Sequence, residues 1–172
     1  GHRIMTSYRN SKNFGTNWIS AGYSLWFMRE AKFLNNARMM LGTSCAVSGT
    51  GFVVASAVIR ERGGWPYHLL TEDIEFTVDT VIHGEMIGYC GDAMLYDEQP
   101  TTFSQSWTQR MRWAKGFYQI VANYGGKLSR GIVTKHHIKK LASYDLTMTV
   151  MPGMLITMGI LALDIVMLLM GV

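Results

Sequence analysis

The chain has 172 residues, 48% hydrophobic and 16% charged. That is enough for one domain and too apolar for a disordered one. The formal net charge of +4 is uneven: residues 104–144 carry eight Lys and Arg side chains and no carboxylate. Such a block favours anionic partners, either substrate phosphates or lipid headgroups, and in the absence of any recognition motif nucleic acid is not expected. Cys45 and Cys90 lack CxxC or metal spacing and are expected to be free, buried thiols. The sequence opens at Gly1 and closes at Val172 within an apolar run, so a segment of a longer protein is expected.

In chain order, residues 1–17 are rich in Ser, Asn and Gly and predict a loop. From Trp18 to about Met40, Ile19, Tyr23, Trp26, Phe27, Phe33 and Leu34 fall near helical spacing. This predicts an amphipathic helix facing the core, with a membrane-surface helix as the alternative. Cys45 to Val54 reads as strand at its ends and tight turn in the middle. Gly49-Thr50-Gly51 is GxGxxV, which excludes a dinucleotide fingerprint. Its glycines instead allow a ligand to approach the main chain.

After the Gly63-Gly64-Trp65-Pro66 break, Thr71 is a predicted N-cap. Ile74, Val78, Val81 and Ile82 then form one apolar stripe that Gly84 ends. Glu72 and Asp73 fall in the first turn, where the macrodipole favours ionised carboxylates. The bland reading is ordinary decoration of a helix start. Glu85 to Leu95 predicts a strand, and Tyr96 to Pro100 a loop. Ser104 to Tyr124 predicts a helix ending at Gly125-Gly126.

On that helix Gln109, Arg112 and Trp113 stand at i, i+3 and i+4 and share a face. Arg presents a planar, always-charged fork for phosphate oxygens. Gln adds a neutral donor, and Trp a flat apolar surface for a sugar ring. A core does not need an aromatic beside polar donors. Arg110 lies off that face. Thr134 to Leu141 is basic, and the adjacent His136 and His137 do not have metal-ligand spacing. From Leu146 to Val172 only Asp164 is charged, which predicts a membrane-crossing helix. The basic flank places its near side in the cytoplasm.

Thr71-Glu72-Asp73 followed by Gln109-Arg110-Met111-Arg112-Trp113 resembles the processive family 2 glycosyltransferases, the group of cellulose, chitin, hyaluronan and poly-N-acetylglucosamine synthases. The resemblance is specific over roughly residues 35 to 125. It implies an α/β fold: the C-terminal part of a Rossmann-like GT-A catalytic domain over 1–125, a basic interfacial linker over 126–145 and a truncated transmembrane segment over 146–172. It also implies an inverting transferase in the plasma membrane, with its catalytic part on the cytoplasmic side. That enzyme passes a sugar from a nucleotide donor, a UDP-sugar such as UDP-N-acetylglucosamine, to a growing polysaccharide.

By the same resemblance Asp73 is the general base, Glu72 a substrate-binding neighbour, Gln109 and Arg112 the diphosphate contacts and Trp113 the acceptor platform. Ser48, Gly49 and Thr50 take the place of a small-residue loop beside the acceptor, Ser48 standing where the family often has Cys. Glu98, before a proline, has a structural role. A Mg²⁺ or Mn²⁺ ion is implied, but no Asp-x-Asp occurs in this sequence, so its ligands are expected upstream. The rival expectations are a transferase adding a single sugar to a lipid or protein, and a membrane-anchored scaffold without turnover.

Overall fold

The computed structural model describes residues 1–134 and 137–171. The fold is mixed α/β: a three-stranded sheet in the order β2-β1-β3 with helices packed around it. The middle strand, β1, is Ile4–Ser11. It lies in the stretch expected to be a loop, and its polar composition hides its role. Ile4 and Thr6 alternate into the interior while the backbone pairs on both sides. Strand β2, Phe52–Val54, runs antiparallel to it, with Ile4 opposite Val54. Strand β3, Ile87–Asp97, runs parallel, from Ile4 opposite Ile87 to Ser11 opposite Asp97. A bulge between Ser7 and Tyr8 skips Gly91 to Ala93 on β3. The predicted strand over 85–95 is thus present and extends to Asp97. No strand forms between Cys45 and Gly51.

The predicted helix over 18–40 is present in three joined pieces: α1, Trp18–Arg29; a π-helical segment, Glu30–Asn35; and α2, Asn36–Met40. Asn17 caps it in a capping box with Ser20. Its expected core face is corrected. Tyr23 and Phe27 are buried, but Trp26, Phe33 and Leu34 face outward with Trp18 and Leu25. Of the helix's apolar side chains only Tyr23, Phe27 and Ala31 are buried, Ala31 in the sheet-side core and Tyr23 and Phe27 against Trp113. The short α3, Ser56–Glu61, precedes the glycine break.

Helix α4, Glu72–Ile82, starts and stops as predicted. Thr71 stands at its N-cap position, yet its side chain makes no capping hydrogen bond. It is buried against Gly116 of α5, Phe103–Thr134. Helix α5 passes straight through Gly125-Gly126, where an end was expected. Tertiary packing overrides the low helix propensity of glycine: Gly125, Leu128 and Gly131 are buried, and a Cβ on Gly125 would stand 2.8 Å from Met151 Cε.

The expected linker and membrane segment are arranged differently. Residues 126–134 belong to α5, and α6, His137–Val150, folds back on it. Lys135 and His136 lie outside the described residues, as does Val172. Ala142, Leu146 and Val150 share a core with Val78, Val81, Ile120 and Leu128. The apolar run breaks at Met151, and α7 spans Pro152–Met170. Among the described residues no helix is long and apolar enough to cross a membrane. The first turns of the predicted spanning segment, from Leu146, belong instead to α6 and its core. Arg38 ties α2 to α6, with Nε 2.6 Å from Asp145 Oδ2 and Nη2 donating to Thr149 Oγ1 at 3.0 Å.

The turn into β2 has no room for a side chain. Gly51 has φ +69°, and a Cβ there would lie 2.3 Å from Ser7 Oγ. Gly51→Ala meets both a left-handed backbone and a clash, and is expected to lower stability by about 1–3 kcal/mol. A denaturant titration checks it.

Candidate active site

The site is built where the Ser48–Gly51 loop crosses the start of α4. Asp73 is half-buried there. Its Oδ1 accepts the Ile74 N–H at 2.9 Å, and the Gly49 main chain lies against the same carboxylate. Gly49 has φ +72°, and a Cβ on it would stand 3.8 Å from Asp73 Oδ2 and 3.4 Å from Arg9 Nη1. Thr77 joins helix to loop: its hydroxyl donates to Asp73 O at 2.9 Å and accepts the Val47 N–H at 3.0 Å. Glu72, one residue earlier, is exposed, as is Thr50.

Asp73 reveals a contest that the helix start alone does not decide. The dipole and the Ile74 and Gly49 amides favour the carboxylate form. Burial opposes them and wins, and the neighbouring Glu72 charge adds to it, so Asp73 is held above the ordinary carboxylate range. A carboxyl group raised in this way is a stronger base than a solvated one. The folded state then binds the Asp73 proton more tightly than the unfolded chain. This group's contribution to stability therefore falls as pH rises through its folded value. Near neutral pH, Asp73→Asn is expected to raise the thermal midpoint of the full-length protein. A thermal melt at pH 7 reads this out, and an unchanged or lower midpoint would count against a desolvated carboxylate.

Arg9 of β1 organises the floor of the site. It donates through Nε to Asp97 Oδ2 at 2.9 Å, pairs with the same oxygen through Nη2, and donates through Nη1 to Ser48 O at 3.0 Å. Its guanidinium lies 3.6 Å from the centroid of the Phe27 ring. Asp97 thus pairs with an arginine in a strand rather than lying in a loop. Phe27 in turn meets Trp113 edge-on at 6.2 Å, and Tyr23 meets it at 5.8 Å. Tyr23 OH donates to Ser106 O at 3.2 Å, fixing α1 on α5. A continuous line of contacts therefore runs from Asp73 through Gly49, Arg9 and Phe27 to Trp113. Trp113 is half-buried on this line.

Gln109 and Arg112 share the α5 face as the spacing predicts. They line an open cleft of about 710 Å³ with Glu98 to Thr101, Ser104, Gln105 and Thr108. Gln109 Oε1 is buried with no hydrogen-bond partner among the described residues, and Arg112 is exposed. Arg110, expected off that face, stands one turn before Trp113 and lies 5.1 Å from the centroid of the Tyr23 ring that Trp113 also meets. Among the described residues no three His, Cys, Asp or Glu side chains are grouped to hold a metal. Cys45 and Cys90 are both free, Cys45 buried and Cys90 only partly.

Sequence reasoning missed three supports. Glu75 is buried and accepts the His68 and Leu69 N–H groups, each at 3.0 Å, and the Tyr124 hydroxyl at 2.8 Å. It thereby binds the strand of chain before Thr71 to α5. Arg9 sat in the supposed loop and carried no signal. Gly116 did carry one: a glycine inside a helix costs about 1 kcal/mol against alanine and usually has a packing reason. Here the reason is Thr71, whose Cγ2 and Oγ1 would each be 2.5 Å from a Cβ on Gly116.

Comparison with known proteins gives the same direction as this geometry. The model of the family described as glycosyl transferase family group 2 matches residues 2–172. A probable glycosyltransferase, YdaM, of Bacillus subtilis is 32% identical over 78 residues, 45% of this chain and 19% of that protein. A beta-monoglucosyldiacylglycerol synthase of Synechocystis is 29% identical over 112 residues, 65% of this chain and 23% of that protein. A poly-beta-1,6-N-acetyl-D-glucosamine synthase of Staphylococcus aureus is 26% identical over 88 residues, 51% of this chain and 21% of that protein. The chain spans about a fifth of the length of each of these relatives.

Proposed function

We propose that this chain, which belongs to glycosyl transferase family group 2, is the acceptor-side part of an inverting glycosyltransferase that extends a polysaccharide from a nucleotide sugar. The donor is a UDP-sugar, with UDP-N-acetylglucosamine the first choice. The observation that carries the reading is the contact line from Asp73 to Trp113, with the Gln109–Arg112 cleft on the same helix as Trp113. Asp73 takes the proton from the acceptor hydroxyl as its oxygen attacks the anomeric carbon. Arg112 and Gln109 stabilise charge on the departing diphosphate. Trp113 supports the acceptor end with its exposed part, and Ser48, Gly49 and Thr50 border it. The family resemblance implies Mg²⁺ or Mn²⁺, whose ligands we place outside these 172 residues. No step above is routed through the ion.

The proposed setting is the cytoplasmic face of the plasma membrane. Its support is the carboxylate-free basic stretch 104–144 and the outward apolar residues of three helices. These include Trp18 and Trp26 on α1, Phe103 and Trp107 on α5, and Ile160 and Leu161 on α7. Aromatic and basic residues together suit lipid headgroups.

A second reading has one observation in its favour. A beta-monoglucosyldiacylglycerol synthase of Trichormus variabilis matches over 87% of this chain, more than the 51% matched by the polysaccharide synthase. In that reading a single sugar is added to a lipid. Product size separates the two. Membranes containing the full-length protein are given one radiolabelled nucleotide sugar at a time with Mg²⁺ or Mn²⁺. High-molecular-weight label is expected, and label confined to an organic-soluble lipid would replace the polymer reading.

A further inference from the structure

We propose that Glu30 is a positioning residue for the transfer reaction, acting through Ser48 to hold the Gly49 main chain against Asp73. The inference rests on the reading of Asp73 as the base. Its starting point is the π-helical segment, Glu30–Asn35. In an α-helix, at about 100° per residue, positions 30 and 35 would lie about 140° apart around the axis. The wider turn brings both onto the acceptor-side loop. Asn35 grips one end of that loop, accepting the Ala46 N–H at 3.0 Å and donating to Ala46 O at 3.1 Å. Glu30 grips the other end, accepting the Ser48 hydroxyl at 3.1 Å. Short π-helical turns of this kind are rare and concentrate at functional sites.

Arg9 completes the clamp by donating to Ser48 O. The loop is thus pinned at Ala46 and Ser48, and Gly49 follows with φ +72° beside Asp73. Glu30 does not meet substrate through the space beside it. That cavity is about 10 Å³, lined by Ser7, Arg9, Glu30, Ser48 and others, and holds at most about one water. Its role is therefore exerted through Ser48.

The charges facing Glu30 are Arg9 from β1, Arg38 from α2 and Asp73 from α4, and Glu72 lies beside Asp73. Burial holds Glu30 above the ordinary carboxylate range despite both arginines. The Asp73 charge raises Glu30 further, and because a charge–charge interaction is mutual, removing the Glu30 charge is expected to ease ionisation of Asp73. This coupling gives a readout that a purely structural role would not move.

The test uses the full-length protein in membranes. Glu30→Gln keeps an acceptor oxygen for Ser48 but removes the charge. Its plateau kcat is expected within about threefold of wild type, while the acid limb of kcat/KM moves to lower pH. Glu30→Ala releases the loop and is expected to lose kcat by about tenfold or more with the donor KM unchanged. Ser48→Ala is expected to match it, with the double variant no worse than either single one. An unmoved acid limb in Glu30→Gln overturns the proposal, as does full kcat in Glu30→Ala. If Glu30→Ala fails to fold, the Glu30→Gln profile still decides it. Activity retained in Asp73→Asn would instead remove the base itself, a separate failure.

Discussion

Asp73→Asn is expected to lower kcat of the full-length protein by about 10²–10⁴-fold, the usual contribution of a positioned general base. The change is nearly isosteric, and the amide oxygen can still accept the Ile74 N–H that the wild-type carboxylate accepts. The loss therefore reports chemistry rather than collapse of the α4 start. Donor KM is expected to stay close to wild type, because the Gln109–Arg112 cleft is on another helix. The Glu72 side chain is exposed, and Glu72→Gln, which removes its charge from beside Asp73, is expected to shift the acid limb modestly downward. Wild-type kcat/KM is expected to fall at a pH above the ordinary Asp value of about 4, since the folded protein holds Asp73 above that range.

The second large effect is expected at the crossing of α4 and α5. Gly116→Ala places a methyl group 2.5 Å from two side-chain atoms of Thr71 and 3.0 Å from its Cβ. The helices must separate there, at an expected cost of about 1–3 kcal/mol of stability. The functional loss is expected to be larger than that figure suggests. Gly116 lies one turn after Arg112 and Trp113, and Thr71 lies two residues before Asp73. Separation therefore moves the two halves of the site apart, and a displacement of about 1 Å can cost about 10²-fold in rate. Thr71→Ala removes both of the closest atoms. The Gly116→Ala/Thr71→Ala double variant is expected to recover stability relative to Gly116→Ala alone. Chemical denaturation and turnover of the four proteins measure this, and strict additivity would show that the two residues do not govern the crossing.

The parts of the fold legible in the sequence are those where local pattern and tertiary demand agree. The α4 stripe of Val78 and Val81 is buried as its period requires. The i, i+3, i+4 spacing of Gln109, Arg112 and Trp113 gave their common helix. Strand β1 was not legible, because a central strand takes its stability from pairing on two sides and Ser7, Arg9 and Asn10 conceal it. The end placed at Gly125-Gly126 was set aside by contacts from α6 and Met151, which are remote in sequence. Burial of Asp73 likewise depends on a loop more than twenty residues away. A helix-dipole argument taken alone gives its proton affinity the wrong sign. Glu30, Arg9 and Glu75 show the same limit: each is an ordinary charged residue whose partners come from other elements.

The stereochemistry of the product tests the central claim most directly. A single base that deprotonates the acceptor, with attack directly on the anomeric carbon, inverts the configuration there. The relatives' own names carry beta-linked products. Full-length protein supplied with an α-configured nucleotide sugar, and its product examined by proton NMR for the anomeric coupling, is expected to give a β linkage. A product of α configuration would mean retention, which a single backside displacement cannot give, and would contradict the role given to Asp73.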